Sequence, residues 1–152
     1  MEVKGASVIA FVFRKAGDNI QFLMMRRSKE RGGFWQSVSG GIKDRETAAQ
    51  AAMREVEEET GLRLKRYVVA DAVNIFYKEA EDTIYLEPVF GIEVGEGKVT
   101  ITPEHIVYRW CSAEEVLRLL PFESNKVAFR ALCRVLNVPL AGETVEGGKG
   151  VS

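Results

Sequence analysis

Residues 40–62 read GGIKDRETAAQAAMREVEEETGL, and the predicted architecture of the chain follows from this stretch. Thr47 and Gln50 have the spacing of a capping box, in which side chains satisfy free backbone donors at the start of a helix. The alanines that follow favour a helix, and Gly61 is typical of a left-handed C-terminal cap. We therefore predict a helix that begins after Thr47 and ends at Gly61, with a tight glycine turn before it.

Glu55, Glu58 and Glu59 are spaced so that their carboxylates share one face of this helix. The arrangement is locally unfavourable, because like charges at this spacing repel by about 0.2–0.5 kcal/mol per pair. Carboxylates in the last turn also meet the negative end of the helix dipole, at roughly 0.3–1 kcal/mol each. A hard divalent cation would reverse this balance, since Mg²⁺ binds carboxylate and carbonyl oxygens. A solvated acidic face is the alternative that spacing alone leaves open.

The stretch also contains a fixed pattern of glycine, glutamate, arginine and aliphatic positions, filled here by Gly40, Glu46, Arg54, Glu55, Val56, Glu58, Glu59, Gly61 and Leu62. This pattern resembles the signature of the Nudix hydrolases, which cleave a nucleoside diphosphate linked to another group. The resemblance implies an α/β fold of the Nudix type, an α/β/α sandwich with a mixed β-sheet between helices. It also implies Mg²⁺ as cofactor, with Mn²⁺ as a substitute, to neutralise pyrophosphate charge and activate water.

The resemblance further assigns roles within the stretch. Glu55 and Glu59 would be the principal metal ligands and Glu58 a third, while Glu46 would support them. Arg54 would hold a glutamate carboxylate in one rotamer through a forked hydrogen bond. A carboxylate must accept the proton of the attacking water. The sequence leaves open which carboxylate does so.

Residues that contact the substrate are predicted just before the helix and near the N-terminus. Gly40 and Gly41 allow the backbone to turn sharply and to approach phosphate closely. The carbonyl of Ser39 matches a position where the family supplies a backbone metal ligand. Trp35 enters the glycine loop and is a candidate for stacking on a heterocycle. Lys4 is a candidate phosphate contact, with an ordinary surface charge as the alternative.

Arg26 and Arg27 end the second predicted strand and alternate across the sheet. One of them should therefore point into the cleft, where a guanidinium can grip phosphate with two hydrogen bonds. The resemblance favours Arg26, which would leave Arg27 as a solvated charge.

Glu104 lies in a predicted loop just before a strand. The resemblance implies that an acid in this loop closes the metal site or serves as the base, and an exposed loop acid is the alternative. His105 is the only histidine. We expect it to order the loop, because a lone histidine beside carboxylates makes no zinc site.

The rest of the chain predicts a mixed sheet with helices on both faces. Predicted strands cover residues 6–13, 20–25, 68–77, 83–94, 98–101 and 106–111. Predicted helices run from Ser112 to about residue 120 and over residues 124–136. We predict one Nudix hydrolase domain over residues 1–140 and a flexible polar tail over residues 141–152.

The composition limits the partners and the location. With 152 residues and a net charge of −1, the chain has no basic field to gather nucleic acid, and we expect no nucleic-acid partner. No apolar run is long enough for a bilayer, and no secretory leader is recognised. We therefore expect a cytoplasmic location without a membrane partner. Cys111 and Cys133 are predicted to be buried apolar residues. A homodimer is expected from the family resemblance.

The resemblance extends from about residue 4 to residue 136 and is nearest to the bacterial dihydroneopterin triphosphate pyrophosphatases. The segments FWQSVSGGI, ETAAQAAMREVEEE and EHIVYRW, then Ser124 and Asn125, occur there in the same order. The implied reaction splits a nucleoside or pterin triphosphate (dihydroneopterin triphosphate or a dNTP) into the monophosphate and pyrophosphate. Glu123, where a tryptophan is expected, and residues 73–77 depart from the pattern. Hydrolysis of dinucleoside polyphosphates or oxidised nucleotides, or nucleotide binding without catalysis, are therefore the alternatives.

Overall fold

A computed structural model describes residues 1–142, which form an eight-stranded mixed sheet and three helices. The strands are β1 (Glu2–Lys4), β2 (Ser7–Ala16), β3 (Asn19–Arg27), β4 (Trp35–Gln36), β5 (Val38–Gly41), β6 (Leu64–Lys78), β7 (Thr83–Val94) and β8 (His105–Cys111). The helices are α1 (Ala48–Thr60), α2 (Ala113–Leu119) and α3 (Glu123–Leu136). Short 3₁₀ turns occupy Lys29–Arg31 and Glu79–Glu81.

Strand β7 organises the sheet. Strands β1 and β2 pair with it in parallel, and β6 pairs with it in antiparallel orientation. The edge of β2 that faces away from β7 pairs with β3 and β5. Strand β3 in turn pairs with β4 and β8, and all these pairs are antiparallel. The sheet is therefore mixed, as predicted. Within residues 1–142, no helix is long and apolar enough to cross a bilayer.

Alternate side chains of β2 pack into two separate hydrophobic cores, because successive side chains of a strand point to opposite faces of the sheet. Phe11 and Phe13 face α2 and α3, where the Phe129 ring lies 5.0 Å from that of Phe11. Val8 and Val12 face α1. Helices thus cover both faces of the sheet, which confirms the predicted α/β/α sandwich. Both cysteines are buried, as expected.

Helix α1 has the ends that the sequence predicts. The Thr47 hydroxyl accepts a hydrogen bond from the Gln50 backbone N–H at 3.1 Å, and the Gln50 side chain accepts one from the Thr47 N–H at 2.9 Å. Gly61 adopts the left-handed conformation, with φ of 68°. The capping box and the glycine cap are both confirmed.

The predicted strand at residues 98–101 is wrong. The Thr100 N–H donates to the Thr60 carbonyl at 2.9 Å, and Val99 is buried in the core beside α1. The segment therefore satisfies a free carbonyl at the end of α1 instead of joining a strand ladder. Of the predicted tail, residues 143–152 lie outside the described residues.

Candidate active site

Helix α1 lies so close to β5 that one glycine becomes necessary. Ala51, Ala52 and Val56 bury the apolar face of the helix, and Glu55 projects beside them toward Gly40. A Cβ atom at Gly40 would overlap the Glu55 carboxyl group. Only glycine at this position leaves the carboxylate its place against the backbone.

Arg54 is the centre of a hydrogen-bond network that fixes the acidic side chains. Its Nε and Nη2 donate to the two Glu46 carboxylate oxygens at 2.7 and 2.9 Å, which is the forked geometry of arginine with a carboxylate. Its Nη1 donates to Glu55 at 2.8 Å and to Glu58 at 3.3 Å, and Nη2 also donates to the Gly41 carbonyl at 2.8 Å. The forked contact predicted for Arg54 is present, and its main partner is Glu46.

The network also sets the charge states of its members. The hydrogen bond from Arg54, and then the one from the Lys43 N–H, lower the pKa of Glu46 to about 2. Hydrogen bonds to Glu46 and then to Glu55 raise the pKa of Arg54. Glu46 therefore keeps Arg54 charged and oriented, which matches the supporting role predicted for it.

Glu59 is the most perturbed acid of the site. Burial raises its pKa to about 7, and the nearby carboxylates of Glu55, Glu104 and Glu58 add to the effect, while Arg27 opposes it. The four acids predicted as metal ligands therefore do lie within electrostatic range of one another. A buried carboxylate beside others of its charge is costly unless a cation compensates it.

The donor set suits a divalent cation in its chemistry. It offers only oxygen ligands, as Mg²⁺ prefers, around a carboxyl group whose ionisation is disfavoured by its neighbours. Within residues 1–142, no group of three or more Asp, Glu, His or Cys side chains is arranged closely enough to hold a metal ion. The reason is visible: Glu55 and Glu58 turn to Arg54, and Glu104 lies 3.9 Å from Arg31.

His105 lies at the edge of the site, between Gln36 and Glu59. It is 4% exposed, and burial lowers its pKa, so the ring is neutral at physiological pH. The Gln36 amide nitrogen lies 2.8 Å from His105 Nε2; with the amide donating, the ring proton sits on Nδ1. That atom has no hydrogen-bond partner and lies 4.0 Å from a Glu59 carboxylate oxygen.

A cleft of about 470 Å³ lies beside these acids, between the sheet and the start of α3. Trp35 and Ser39, both predicted to contact substrate, line it. Lys4 instead lies on β1, opposite Tyr85 of β7, with an exposed side chain that does not line the cleft. The tight turn predicted at Gly40 and Gly41 is wrong, because both glycines lie in strand β5 and pair with β2. Gly41 contributes its carbonyl to Arg54 rather than a surface to the cleft.

At the end of β3, Arg27 rather than Arg26 lies in the cleft, which is the reverse of the prediction. Arg27 lines the cleft and its buried Nε lacks a hydrogen-bond partner, whereas Arg26 donates to the Gly33 carbonyl at 3.3 Å. One arginine does enter the cleft, as alternation along the strand predicts, but the choice of Arg26 from the family resemblance is wrong. The pairing of β3 with β8 shifts register between the two residues.

The sequence reasoning also missed Glu87 and Asn74, which line the same cleft. Glu87 is a charged residue within the predicted apolar strand at residues 83–94. That interruption was the available signal, since a charged residue in a buried strand calls for a partner.

The chain has recognisable relatives. A family model described as the NUDIX domain matches residues 3–133. The chain is 34% identical over 120 residues to an octanoyltransferase of Myxococcus xanthus, covering 74% of this chain but only 32% of that protein. The chain thus spans about a third of the length of that relative.

Two other relatives are covered almost completely. Over 138 residues the chain is 29% identical to the dihydroneopterin triphosphate diphosphatase of Escherichia coli strain K12, covering 80% of this chain and 87% of that protein. Among solved structures, a protein of Listeria monocytogenes described as a NUDIX hydrolase shares the fold with a TM-score of 0.73. It is 29% identical, and the match covers 86% of this chain and 93% of that one.

Proposed function

Because the chain belongs to the NUDIX family, whose members hydrolyse phosphoanhydride bonds, we propose that it is a Mg²⁺-dependent pyrophosphohydrolase of nucleoside or pterin triphosphates. The products would be the monophosphate and pyrophosphate. The observation that carries the proposal is the position of Glu59, whose side chain is 12% exposed and lies within electrostatic range of three other carboxylates. Burial and then these neighbours raise its pKa to about 7. The similarity to the Escherichia coli dihydroneopterin triphosphate diphosphatase supports the pterin substrate.

Glu55, Glu58, Glu59 and Glu104 are the residues that would hold the ion. When bound, Mg²⁺ would supply charge neutralisation of the phosphates and a lower pKa for the water that attacks. Within the chain, Arg54 orients Glu55, and Glu46 in turn fixes Arg54. We assign the proton-accepting role to Glu58, because its 3.3 Å contact is the longest that Arg54 makes and its side chain is 55% exposed.

Substrate contacts would come from the cleft and from strand β5. Arg27 has an unpartnered buried Nε and a guanidinium 5.3 Å from the Phe34 ring, which suits it to a phosphate at the mouth of the cleft. Trp35 offers a flat surface for a heterocycle. Ser39 and Gly40 would bring backbone close to the phosphate chain.

A product-resolved assay tests the proposal. Purified protein is incubated with Mg²⁺ and with dihydroneopterin triphosphate, each dNTP, oxidised dGTP and a diadenosine polyphosphate, and phosphate and pyrophosphate are quantified separately. We expect pyrophosphate release, fastest from the pterin or a dNTP. Absence of turnover of every substrate would refute the proposal, and a clear preference for the diadenosine compound or oxidised dGTP would move the assignment to the alternative substrates.

The location and the partners follow from the proposed reaction. A small anionic substrate suits a cytoplasmic enzyme, as does a chain with only two cysteines, both buried. The net charge of −1 gives no support to a nucleic-acid partner.

We place the homodimer expected from the sequence along β6. Among the described residues this strand pairs only with β7, so its other edge is free, and it exposes Val69, Val73, Ile75 and Tyr77. Arg63 and Lys65 lie at its start, and Glu79 and Glu81 follow its end. Antiparallel pairing with a second copy would bring each basic end beside an acidic one, which a two-fold axis satisfies twice.

A further inference from the structure

The cleft has a carboxylate of its own, Glu87, which takes no part in the acidic site on α1. Glu87 lies on β7 and lines the cleft. One of its carboxylate oxygens accepts a hydrogen bond from the Ser7 hydroxyl at 2.7 Å, and the other accepts one from the Asn74 amide at 2.8 Å. No basic side chain within the described part of the chain forms an ion pair with it.

Asn74 fixes the direction of this carboxylate. It is 1% exposed, and its amide oxygen accepts a hydrogen bond from the Asn125 amide nitrogen at 3.3 Å. The contact at the oxygen and the contact at the nitrogen together set the orientation of the Asn74 amide. Glu87 is therefore a pre-oriented acceptor, held by one donor on each oxygen.

Each oxygen of a carboxylate can accept about two hydrogen bonds, so both oxygens of Glu87 keep an acceptor site after Ser7 and Asn74 are counted. We infer that Glu87 recognises the 2-amino-4-oxopyrimidine edge shared by guanine and pterin rings. That edge presents an amino group and a ring N–H side by side, which pair with a carboxylate through two parallel hydrogen bonds. Adenine offers an amino group beside a ring acceptor, and the acceptor would face the carboxylate oxygen unfavourably.

The walls of the cleft suit a flat ring. Trp35, Phe76 and Phe122 all line it. The Phe76 ring is stacked on Tyr85 with centroids 5.2 Å apart, and Phe34 meets Phe122 edge to face at 5.6 Å. Aromatic faces that are already held by neighbours provide a stacking surface at low entropic cost. A hydrogen-bonding floor with aromatic sides is the usual composition of a heterocycle site.

The position of the cleft connects this ring site to the acids, and the inference rests on the proposed function for that reason. Ser39 lines the cleft and immediately precedes Gly40, against which Glu55 packs. Gln36 also lines it and contacts His105, which in turn lies 4.0 Å from Glu59. A substrate with its ring at Glu87 would therefore direct its phosphates toward the carboxylates of α1.

The first experiment uses the unchanged protein. Values of kcat/KM are compared for the triphosphates of guanosine, inosine, adenosine and dihydroneopterin, because inosine lacks only the 2-amino group of guanosine. We expect guanosine and dihydroneopterin triphosphates to exceed the adenosine compound by about 10- to 100-fold, with inosine between them. Comparing kcat/KM for the dihydroneopterin and guanosine triphosphates shows which of the two rings is preferred. Equal values for guanosine, inosine and adenosine would overturn the inference.

The second experiment changes the carboxylate. Glu87→Gln keeps the size of the side chain but places a donor where the ring also donates. It should reduce the guanosine and dihydroneopterin values about 10- to 100-fold relative to the adenosine value, because an amide can pair with the donor and the acceptor of adenine. The exposed Glu96→Gln is the matched control. An undiminished preference in Glu87→Gln would overturn the inference, and if this variant fails to fold, the inosine comparison decides alone.

A binding measurement separates the two proposals. Guanosine and dihydroneopterin, both without phosphate, are titrated against adenosine while the fluorescence of the protein, which includes Trp35 in the cleft, is followed. Guanosine and dihydroneopterin should bind more strongly than adenosine, and this difference should be lost in Glu87→Gln. That result supports the ring site even if no triphosphate is hydrolysed. Hydrolysis without any ring preference would leave the proposed reaction standing and refute the role of Glu87.

Discussion

The single guanidinium of Arg54 contacts Gly41 of strand β5, the supporting acid Glu46, and the proposed metal ligands Glu55 and Glu58. It donates hydrogen bonds to the Glu46 carboxylate, to Glu55 and to the Gly41 carbonyl at the same time. Lysine carries the same charge on a single ammonium group and cannot make these contacts in one plane. The planar geometry of arginine, rather than its charge alone, therefore positions the acids.

Arg54→Lys should lower kcat about 10- to 100-fold, because losing the support of a metal ligand commonly has an effect of this size. Steady-state kinetics across a range of Mg²⁺ concentrations would measure it, and the apparent Mg²⁺ affinity should weaken in parallel. Arg63→Lys, on an exposed residue just after α1, is the control. An Arg54→Lys enzyme with native kcat and Mg²⁺ dependence would contradict the positioning role.

Glu59 makes the stability of the metal-free protein depend on pH. Its pKa is raised from 4.5 to about 7 in the folded state, so between these values the folded protein keeps a proton that the unfolded chain has released. Stability contributed by this group is therefore present at low pH and falls as the pH rises through that window. Glu59→Gln should raise the Tm of the metal-free protein at pH 8 and have little effect near pH 4.5.

Thermal unfolding in the presence of a chelator provides this measurement, with the exposed Glu57→Gln on the same helix as control. Mg²⁺ should restore the Tm of the wild-type protein at pH 8 more than that of Glu59→Gln. Parallel pH profiles for wild type and Glu59→Gln would show that Glu59 titrates as an ordinary acid.

At the scale of elements, the predictions that succeeded rest on local signals. The capping box at Thr47 and the glycine cap at Gly61 depend only on neighbouring residues, and α1 has both ends where the sequence places them. Residues 98–101 have strand-like composition, but the end of α1 supplies a partner that no local pattern reveals. The failures thus come from contacts between elements.

The site shows the same division between local and tertiary information. The carboxylates of α1 share a face because of helix geometry, which the sequence specifies. Arg27 enters the cleft at a register shift between β3 and β8, and Glu87 is held by residues from β2 and β6. Such placements depend on strand pairing, so the residue pattern alone could not give them.

The packing of α1 on β5 leads to a prediction about Gly40. Gly40→Ala would place a methyl group where the Glu55 carboxyl group lies and force that side chain away. Displacing a catalytic group by about 1 Å can cost about 100-fold in rate, so kcat/KM should fall by that order. Gly5→Ala, where a Cβ meets nothing within 4 Å, is the control for activity and for urea unfolding. Full activity in Gly40→Ala would contradict the close packing of Glu55.

For the whole molecule, the exposed apolar side chains of β6 predict an interface between two copies. A specific interface buries about 800 Å² per partner, and a strand with a free edge can add backbone hydrogen bonds to that contact. Val73→Glu should convert the dimer to a monomer, because two buried like charges would meet near the two-fold axis. Light scattering after size-exclusion chromatography measures the mass directly.

Val127→Glu on α3 places the same charge on a similarly exposed valine, which is 55% exposed, and should leave the dimer intact. A wild-type protein that is monomeric at all accessible concentrations would contradict the β6 interface, as would a dimer that Val73→Glu does not weaken.

Glu59 and the three carboxylates around it are the centre of this account, and pyrophosphate release tests them most directly. Pyrophosphate is measured from dihydroneopterin triphosphate with Mg²⁺ and with a chelator, for wild type, Glu58→Gln and the adjacent Glu57→Gln. The account predicts turnover that the chelator abolishes, a loss of about 100- to 10,000-fold in Glu58→Gln, and native rates in Glu57→Gln. Turnover that survives the chelator, or a Glu58→Gln enzyme as fast as the wild type, would contradict it.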